Sequence, residues 1–273
     1  MTRPSWQDFG THDESAYPEL WDGVVGAWAP CLGPTGSRLH DMSRGNNWAE
    51  LQFFTPDSDW QVSEGQYAIN FDGSNNNARI DRNLMENPAQ TCTAWVRGST
   101  FPNAYNTVIC KNEDTNRYWT ILLKSNGKMA YYVHANIPVF ADGTGLFQLS
   151  IGRWYFVAMS YSATSGLSGY VNGVGDATAA ANGNPTTGSS FVNIGSHYQA
   201  LVGGASGRFF DGLIDDVKVY NRVLLPSEIS RLYGLGRGGM YQRRRRRAIY
   251  LPQAGFQAAW ARGSNVMLGF NQP

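Results

Sequence analysis

The stretch Phe209-Phe-Asp-Gly-Leu-Ile-Asp-Asp-Val-Lys-Val-Tyr-Asn-Arg222, continued by Val223-Leu-Leu-Pro-Ser-Glu-Ile-Ser-Arg-Leu-Tyr233, reads as a strand, a turn and a short helix. Alternate side chains of a strand share a face. Leu213, Val217 and Val219 therefore line one face, and Asp216 and Lys218 the other. Asp215 breaks the alternation, because its parity aims a carboxylate at the apolar side. Burying that charge alone is too costly, so Asp215 must be hydrogen-bonded, paired or metal-bound. Asp216 is expected on the solvent face. Pro226 suits the first turn of a helix, and Glu228 favours its positive end. Ile229 and Leu232 then face the body.

Upstream segments repeat the strand signature. Tyr67-Ala-Ile-Asn-Phe-Asp-Gly73 alternates, with Tyr67, Ile69 and Phe71 inward and a turn through Asn75, Asn76 and Asn77. Strands are expected at Ala78–Asp81, Gln90–Arg97, Thr107–Lys111, Tyr118–Lys124 and Lys128–His134. Ser125-Asn-Gly127 marks a hairpin between the last two. Arg153 to Tyr161 is apolar on both parities and reads as a central strand covered on both faces.

These segments, in this order, resemble the laminin-G-like, concanavalin-A-like jelly rolls. The closing strand of that family reads roughly G-x-I-D-E-V-R-I-Y-N-R-A-L-S-x-x-E-I. Gly212, Ile214, Asp215, Asp216, Val217, Tyr220, Asn221, Arg222, Leu224, Glu228 and Ile229 match it. The segments Tyr67–Gly73, Gln90–Arg97, Arg153–Tyr161 with Leu167–Gly173, and Phe191–Ser196 match further family motifs. Leu39 to Leu51 resembles the family loop L-x-D-x-S-G-x-G-N-x-G-x-L. Two departures stand out. Leu225 replaces the serine cap, removing about 1 kcal/mol of helix stability. Trp48 stands where the family often has His or Gly, which makes that loop bulkier. The resemblance covers about residues 20–234. It implies an all-β fold: a two-sheet antiparallel jelly-roll sandwich with one short C-terminal helix. Residues 1–19 read as an N-terminal arm and residues 235–273 as a C-terminal tail.

Composition agrees with that class. Of 273 residues, 13% are aromatic, 16% are charged and 31 are Gly, which suits a sandwich with many turns. Charge is segregated. Residues 235–273 hold seven Arg and no acid, leaving 15 basic against 21 acidic residues in the remainder. Cys31, Cys92 and Cys110 read as buried free thiols, with a Cys92–Cys110 bridge as the alternative. The N-terminus has no apolar run, so no secretory signal is expected, and no window is apolar enough to span a membrane.

The chemistry expected is binding rather than catalysis. Laminarinase-type relatives carry Glu-x-Asp-x-(x)-Glu on one strand, and this chain has no such motif. Asp215 and Asp216 are adjacent, so a strand points them to opposite faces. The resemblance also implies calcium as a candidate cofactor, with Asp72, Asn75, Asn77 and Asp215 as oxygen donors. Turn chemistry and a hydrogen-bonded buried carboxylate are the competing account. Trp119, Tyr132, His134 and Tyr198, with Asn116 and Asn136 nearby, are the glycan-binding candidates. The four His show no metal spacing. In the tail, Arg237, Arg243, Arg244, Arg245, Arg246 and Arg247 with Tyr250, Phe256 and Trp260 read as a docking element for a protein partner. That partner is a capsid or other shell subunit, or a neighbouring copy in an oligomer, and nucleic acid is the weaker rival. The function expected is a non-catalytic structural protein, such as a decoration or fibre component on the surface of a phage virion. A lectin-like carbohydrate-binding module is the alternative, and a glycosidase the third class.

Overall fold

The computed structural model describes residues 16–241, apart from 82–83, 85–88, 114–115, 135–139, 181–182, 185–190 and 198–207. Side chains at 112–113, 116–118, 134 and 140–142 are likewise outside the description. The chain divides into a body, Met1–Met240, and a C-terminal unit, Tyr241–Pro273. Tyr198, Arg243–Arg247, Tyr250, Phe256, Trp260 and Asn136 lie outside the described residues, as do the side chains of Asn116 and His134.

Sixteen described strands follow one another along the body: β1 (Val24–Trp28), β2 (Arg38–Leu39), β3 (Ala49–Gln52), β4 (Trp60–Ser63), β5 (Gln66–Asp72), β6 (Asn77–Ile80), β7 (Ala89–Gly98), β8 (Tyr105–Glu113), β9 (Asn116–Lys124), β10 (Lys128–His134), β11 (Phe140–Gln148), β12 (Tyr155–Ser162), β13 (Gly166–Val171), β14 (Val174–Ala179), β15 (Val192–Ile194) and β16 (Asp211–Tyr220). They form two antiparallel sheets. The first runs β14-β13-β12-β7-β16-β5-β4, with β1 added on β16. The second runs β11-β10-β9-β8-β15-β6-β3-β2. The core between them is apolar: Ile69, Phe71, Val96, Val157 and Met159 from the first sheet meet Ile80, Ile109, Trp119, Ile121 and Tyr131 from the second. β12 is buried on both faces after Tyr155, as its two apolar parities require. Cys92 lies in the first sheet and Cys110 in the second, and neither is in a disulfide, so the Cys92–Cys110 bridge does not form.

β16 organises the first sheet. Gly212 has φ 134°, and a Cβ there would collide with the Arg97 carbonyl, so the glycine of the motif is a packing requirement. The first half of β16 pairs with β5, ending at Ile214↔Ile69, and the second half pairs with β1, from Val217↔Trp28. A bulge falls between them, where Asp215↔Trp95 is followed by Lys218↔Thr93, and Asp216 takes φ 48°. The extra residue shifts the phase. Ile214, Val217 and Val219 therefore face the core, whereas uniform alternation assigns Leu213 to that face.

The helix Pro226–Leu235 covers the outer face of the first sheet. Ile229 and Leu232 are buried, and the Tyr233 ring stacks on Trp95 at 5.8 Å. The absent serine cap is offset from the other side of the helix end. The Glu228 carboxylate accepts the Leu225 N–H at 2.7 Å and forms a two-point pair with Arg222 at 2.7 and 2.9 Å. Arg222 also donates to the Asp22 and Glu19 carbonyls, which ties the N-terminal segment to the helix.

Candidate functional site

The acidic pair of the closing strand is structural. Asp215 Oδ1 accepts the Cys31 N–H at 3.0 Å and the Asp216 N–H at 2.7 Å. Arg237 Nη1 approaches Asp215 Oδ2 at 3.4 Å. Asp215 is fully buried, as the sequence requires, but on the outer face beside Trp95, under Arg237 and the turn Pro30–Leu32. Asp216 corrects the expectation of a solvent face. It is 3% exposed, pairs with the buried Lys218 and accepts the Gly238 N–H at 3.0 Å. The bulge places both aspartates where β16 passes from pairing with β5 to pairing with β1. Burial pushes the Asp215 carboxyl up to about 7, and the Asp216 charge adds to this. Arg237 and the Cys31 and Asp216 amides pull it the other way without cancelling the rise, and the Arg237 guanidinium also donates to the Ser63 carbonyl and lies over the Trp154 ring at 4.0 Å.

Arg237 is therefore part of the body, 8% exposed, and its assignment to a docking surface is corrected. Charge pairing with Asp215 and the Trp154 ring draw it inward.

The proposed calcium donors do not converge. Asp72 Oδ1 accepts the amides of Ser74, Asn75 and Asn76 at 2.9 to 3.1 Å. Burial raises the Asp72 carboxyl, but those amides outweigh it and hold the group below the usual range. Asn77 donates to Gln52 on the neighbouring strand at 3.1 Å. The residue opposite Asp72 on β16 is Asp211, which leaves Asp215 four residues along, roughly 13 Å away. Among the described residues, no three His, Cys, Asp or Glu side chains form a metal-holding group.

Of the glycan candidates, Trp119 is corrected. It is fully buried in the core with Ile121 and Leu123 of the same parity, so no sugar reaches it. Tyr132 faces outward, half-buried, while its neighbour Tyr131 faces the core. It lies near one end of a cross-strand row on the outer face of the second sheet: Arg38, Glu50, Arg79, Asn193, Cys110, Thr120, Tyr132.

The other end of that row holds a feature the sequence reading noted only as bulk. Trp48, 38% exposed, rims a pocket of about 230 Å³ with Arg38, Asn46, Glu50 and Asp81. Its indole N–H donates to Asn46 Oδ1, and the His40 ring meets it edge-on at 5.0 Å. Arg38 pairs with Glu50 at 3.0 Å and Arg79 with Asp81 at 2.6 Å. The loop beneath is fixed by buried Asp41, which accepts the amides of Ala27, Ser43 and Asn47 and the Ser43 hydroxyl at 2.7 to 2.9 Å. Asn47 in turn accepts the Trp28 indole N–H at its carbonyl. The aspartate and asparagine of the L-x-D-x-S loop are thus the supports of this pocket.

A further buried acid, Asp176, joins the sheets at their far edge. It accepts the Tyr131 hydroxyl at 2.9 Å and the amides of Leu146 and Phe147 at 2.8 Å.

The family profile described as the Concanavalin A-like lectin/glucanases superfamily (laminin G type) matches residues 72–230. No curated protein matches the chain by sequence. Among solved structures, domain 4 of AbnA, a GH43 extracellular arabinanase from Geobacillus stearothermophilus solved with arabinotriose, aligns at TM-score 0.60 and 19% identity. That alignment covers 77% of this chain and 98% of that domain. The receptor-binding domain of botulinum neurotoxin type G aligns at TM-score 0.56 and 15% identity, over 78% of this chain and 51% of that one. The binding domain of Paraclostridial Mosquitocidal Protein 1 aligns at 0.60 and 16%, over 78% and 52%. The chain thus spans about half the length of these toxin binding domains and nearly all of the arabinanase domain. The profile covers more than half of the chain and takes in most of both sheets and the β16 motif, and on that ground the protein belongs to the concanavalin A-like lectin/glucanases superfamily.

Proposed function

We propose that the body is a non-catalytic glycan-binding module. The observation that carries this is the alignment to an arabinanase domain, solved with arabinotriose, over 98% of that domain's length. A unit of this architecture and size works there as a discrete part of a carbohydrate-active protein, and the toxin neighbours are binding domains as well. Four buried acids of the body support the non-catalytic part. Asp41, Asp176, Asp215 and Asp216 are buried with their oxygens committed to amides, hydroxyls or cations, which leaves none of them poised as a general acid or nucleophile. The test is a panel of arabinan, xylan, β-glucan and galactan in affinity electrophoresis and calorimetry, with reducing-sugar release measured in parallel. Retardation by at least one polysaccharide without hydrolysis is expected. Sustained hydrolysis lost on replacing one acid refutes the non-catalytic reading.

A second role is proposed for residues 241–273, which carry six Arg and no acid. This unit docks the module onto an acidic protein surface, as in a decoration protein of a phage particle or similar assembly, with nucleic acid as the rival partner. Salt-dependent co-purification that is lost when Arg243–Arg247 become Gln supports it. Attachment unaffected by that change sinks it.

A further inference from the structure

We propose that the pocket formed by Arg38, Asn46, Trp48, Glu50 and Asp81 is a saccharide subsite that takes one ring of a neutral glycan; this rests on the glycan-binding reading above. An aromatic face flanked by planar polar groups is the pattern a sugar requires: its C–H face packs on the ring while its hydroxyls bond to amide, carboxylate and guanidinium. Trp48 supplies the face. Among the described residues, Glu50 and Asp81 each place one oxygen on an arginine, which leaves the second oxygen of each for a hydroxyl proton. Asn46 adds an amide.

Three further observations narrow the ligand. Charge comes first: the lining holds two carboxylates, Glu50 paired to Arg38 in the pocket and Asp81 to Arg79 outside it, which disfavours anionic sugars. Size comes second: about 230 Å³ lies below the roughly 300–1,000 Å³ of pockets for whole ligands, which fits a single ring. The third is rigidity. The Asp41 bonds, the Asn46 contact to the indole and the His40 edge hold the platform before any ligand arrives, so little ordering opposes binding.

The test uses the full chain and the trisaccharides arabinotriose, xylotriose, cellotriose and laminaritriose. Binding is read by shifts of the indole N–H resonances and by calorimetry. Trp48→Ala is expected to weaken binding at least ten-fold and Glu50→Gln several-fold, with Trp48→Tyr restoring part of the loss. Val174→Ala is the control. Val174 is exposed on β14, at the edge of the first sheet, whereas the pocket lies at the β2–β3 end of the second, and the variant is expected to bind as the parent does. Trp48 is exposed, so melting temperatures of the variants are expected to match the parent. If the parent binds a trisaccharide and Trp48→Ala binds it equally, the subsite is wrong while the glycan-binding reading stands. If the parent binds no saccharide in either panel, that reading fails and takes the subsite with it.

Discussion

Asp215 ties one side chain to the pH response of the fold. Its carboxyl is raised to about 7, above the usual value near 4 that the unfolded chain shows. Between those values the folded protein holds a proton that the unfolded chain has released. Stability from this group is therefore full below roughly pH 4 and falls as the pH rises to 7. Asp72 and Glu228 have the opposite sign. Their carboxyls are held low, by amides that outweigh burial and by the Arg222 pair respectively, so their stabilisation fades only as the pH drops below the usual carboxylate range. Of these three groups, Asp215 is the one whose contribution changes between pH 4 and 7. Asp215→Asn, neutral throughout, is expected to flatten the decline in melting temperature across that window. An unchanged slope would show that another group sets it. Asp216→Ala is expected to cost about 3 kcal/mol in denaturant unfolding, because it removes the carboxylate facing buried Lys218 and the acceptor of the Gly238 amide. A loss under about 1 kcal/mol, typical of an exposed site, would contradict the buried pairing.

How far strands and helix could be read from the chain depended on local rules holding. Alternation placed β5 correctly, Ser125-Asn-Gly127 gave the β9–β10 hairpin, and the double-parity run gave β12 as a central strand. Trp119 was legible too. It shares parity with Ile121 and Leu123, and following that alternation would have placed it in the core. The β16 bulge was not legible, because a single inserted residue leaves composition unchanged while reversing which side chains face inward. The burial of Asp216 and Arg237 was hidden for a related reason: it depends on segments far apart in the chain. The Trp48 pocket likewise needed β2, β3 and β6 brought side by side. At the helix start, the unconventional Leu225 invites a direct check. Leu225 is exposed, so Leu225→Ser loses little packing and adds a side-chain acceptor, which should stabilise by about 0.5–1 kcal/mol. Glu228→Ala should cost about 2 kcal/mol through the lost Leu225 amide bond and Arg222 pair. A double-mutant cycle with Arg222→Ala should show coupling, since the two side chains share one pair. Additive losses would mean that the pair contributes nothing measurable.

The boundary between body and tail is where sequence and structure diverge most usefully. Composition suggests a break after Gly234, where the glycines and arginines begin. The body instead extends to Met240, because Arg237 and Gly238 reach back to the two aspartates of β16, and Gln66 donates to the Arg237 carbonyl at 3.2 Å. Two truncations separate these descriptions. A chain ending at Met240 keeps every one of those contacts and is expected to unfold at the same denaturant midpoint as the full chain. A chain ending at Gly234 leaves Asp215 without its guanidinium and Asp216 without the Gly238 amide, both in a buried site. Uncompensated buried charge of this kind is destabilising by several kcal/mol, so the shorter chain should show a clearly lower midpoint or accumulate as aggregate. Its deficit should shrink at acid pH, where protonation of Asp215 removes the stranded charge, while Asp216 keeps Lys218 as its counter-ion. Equal stability of the two truncations would show that residues 235–240 add nothing to the body and would restore the break at Gly234.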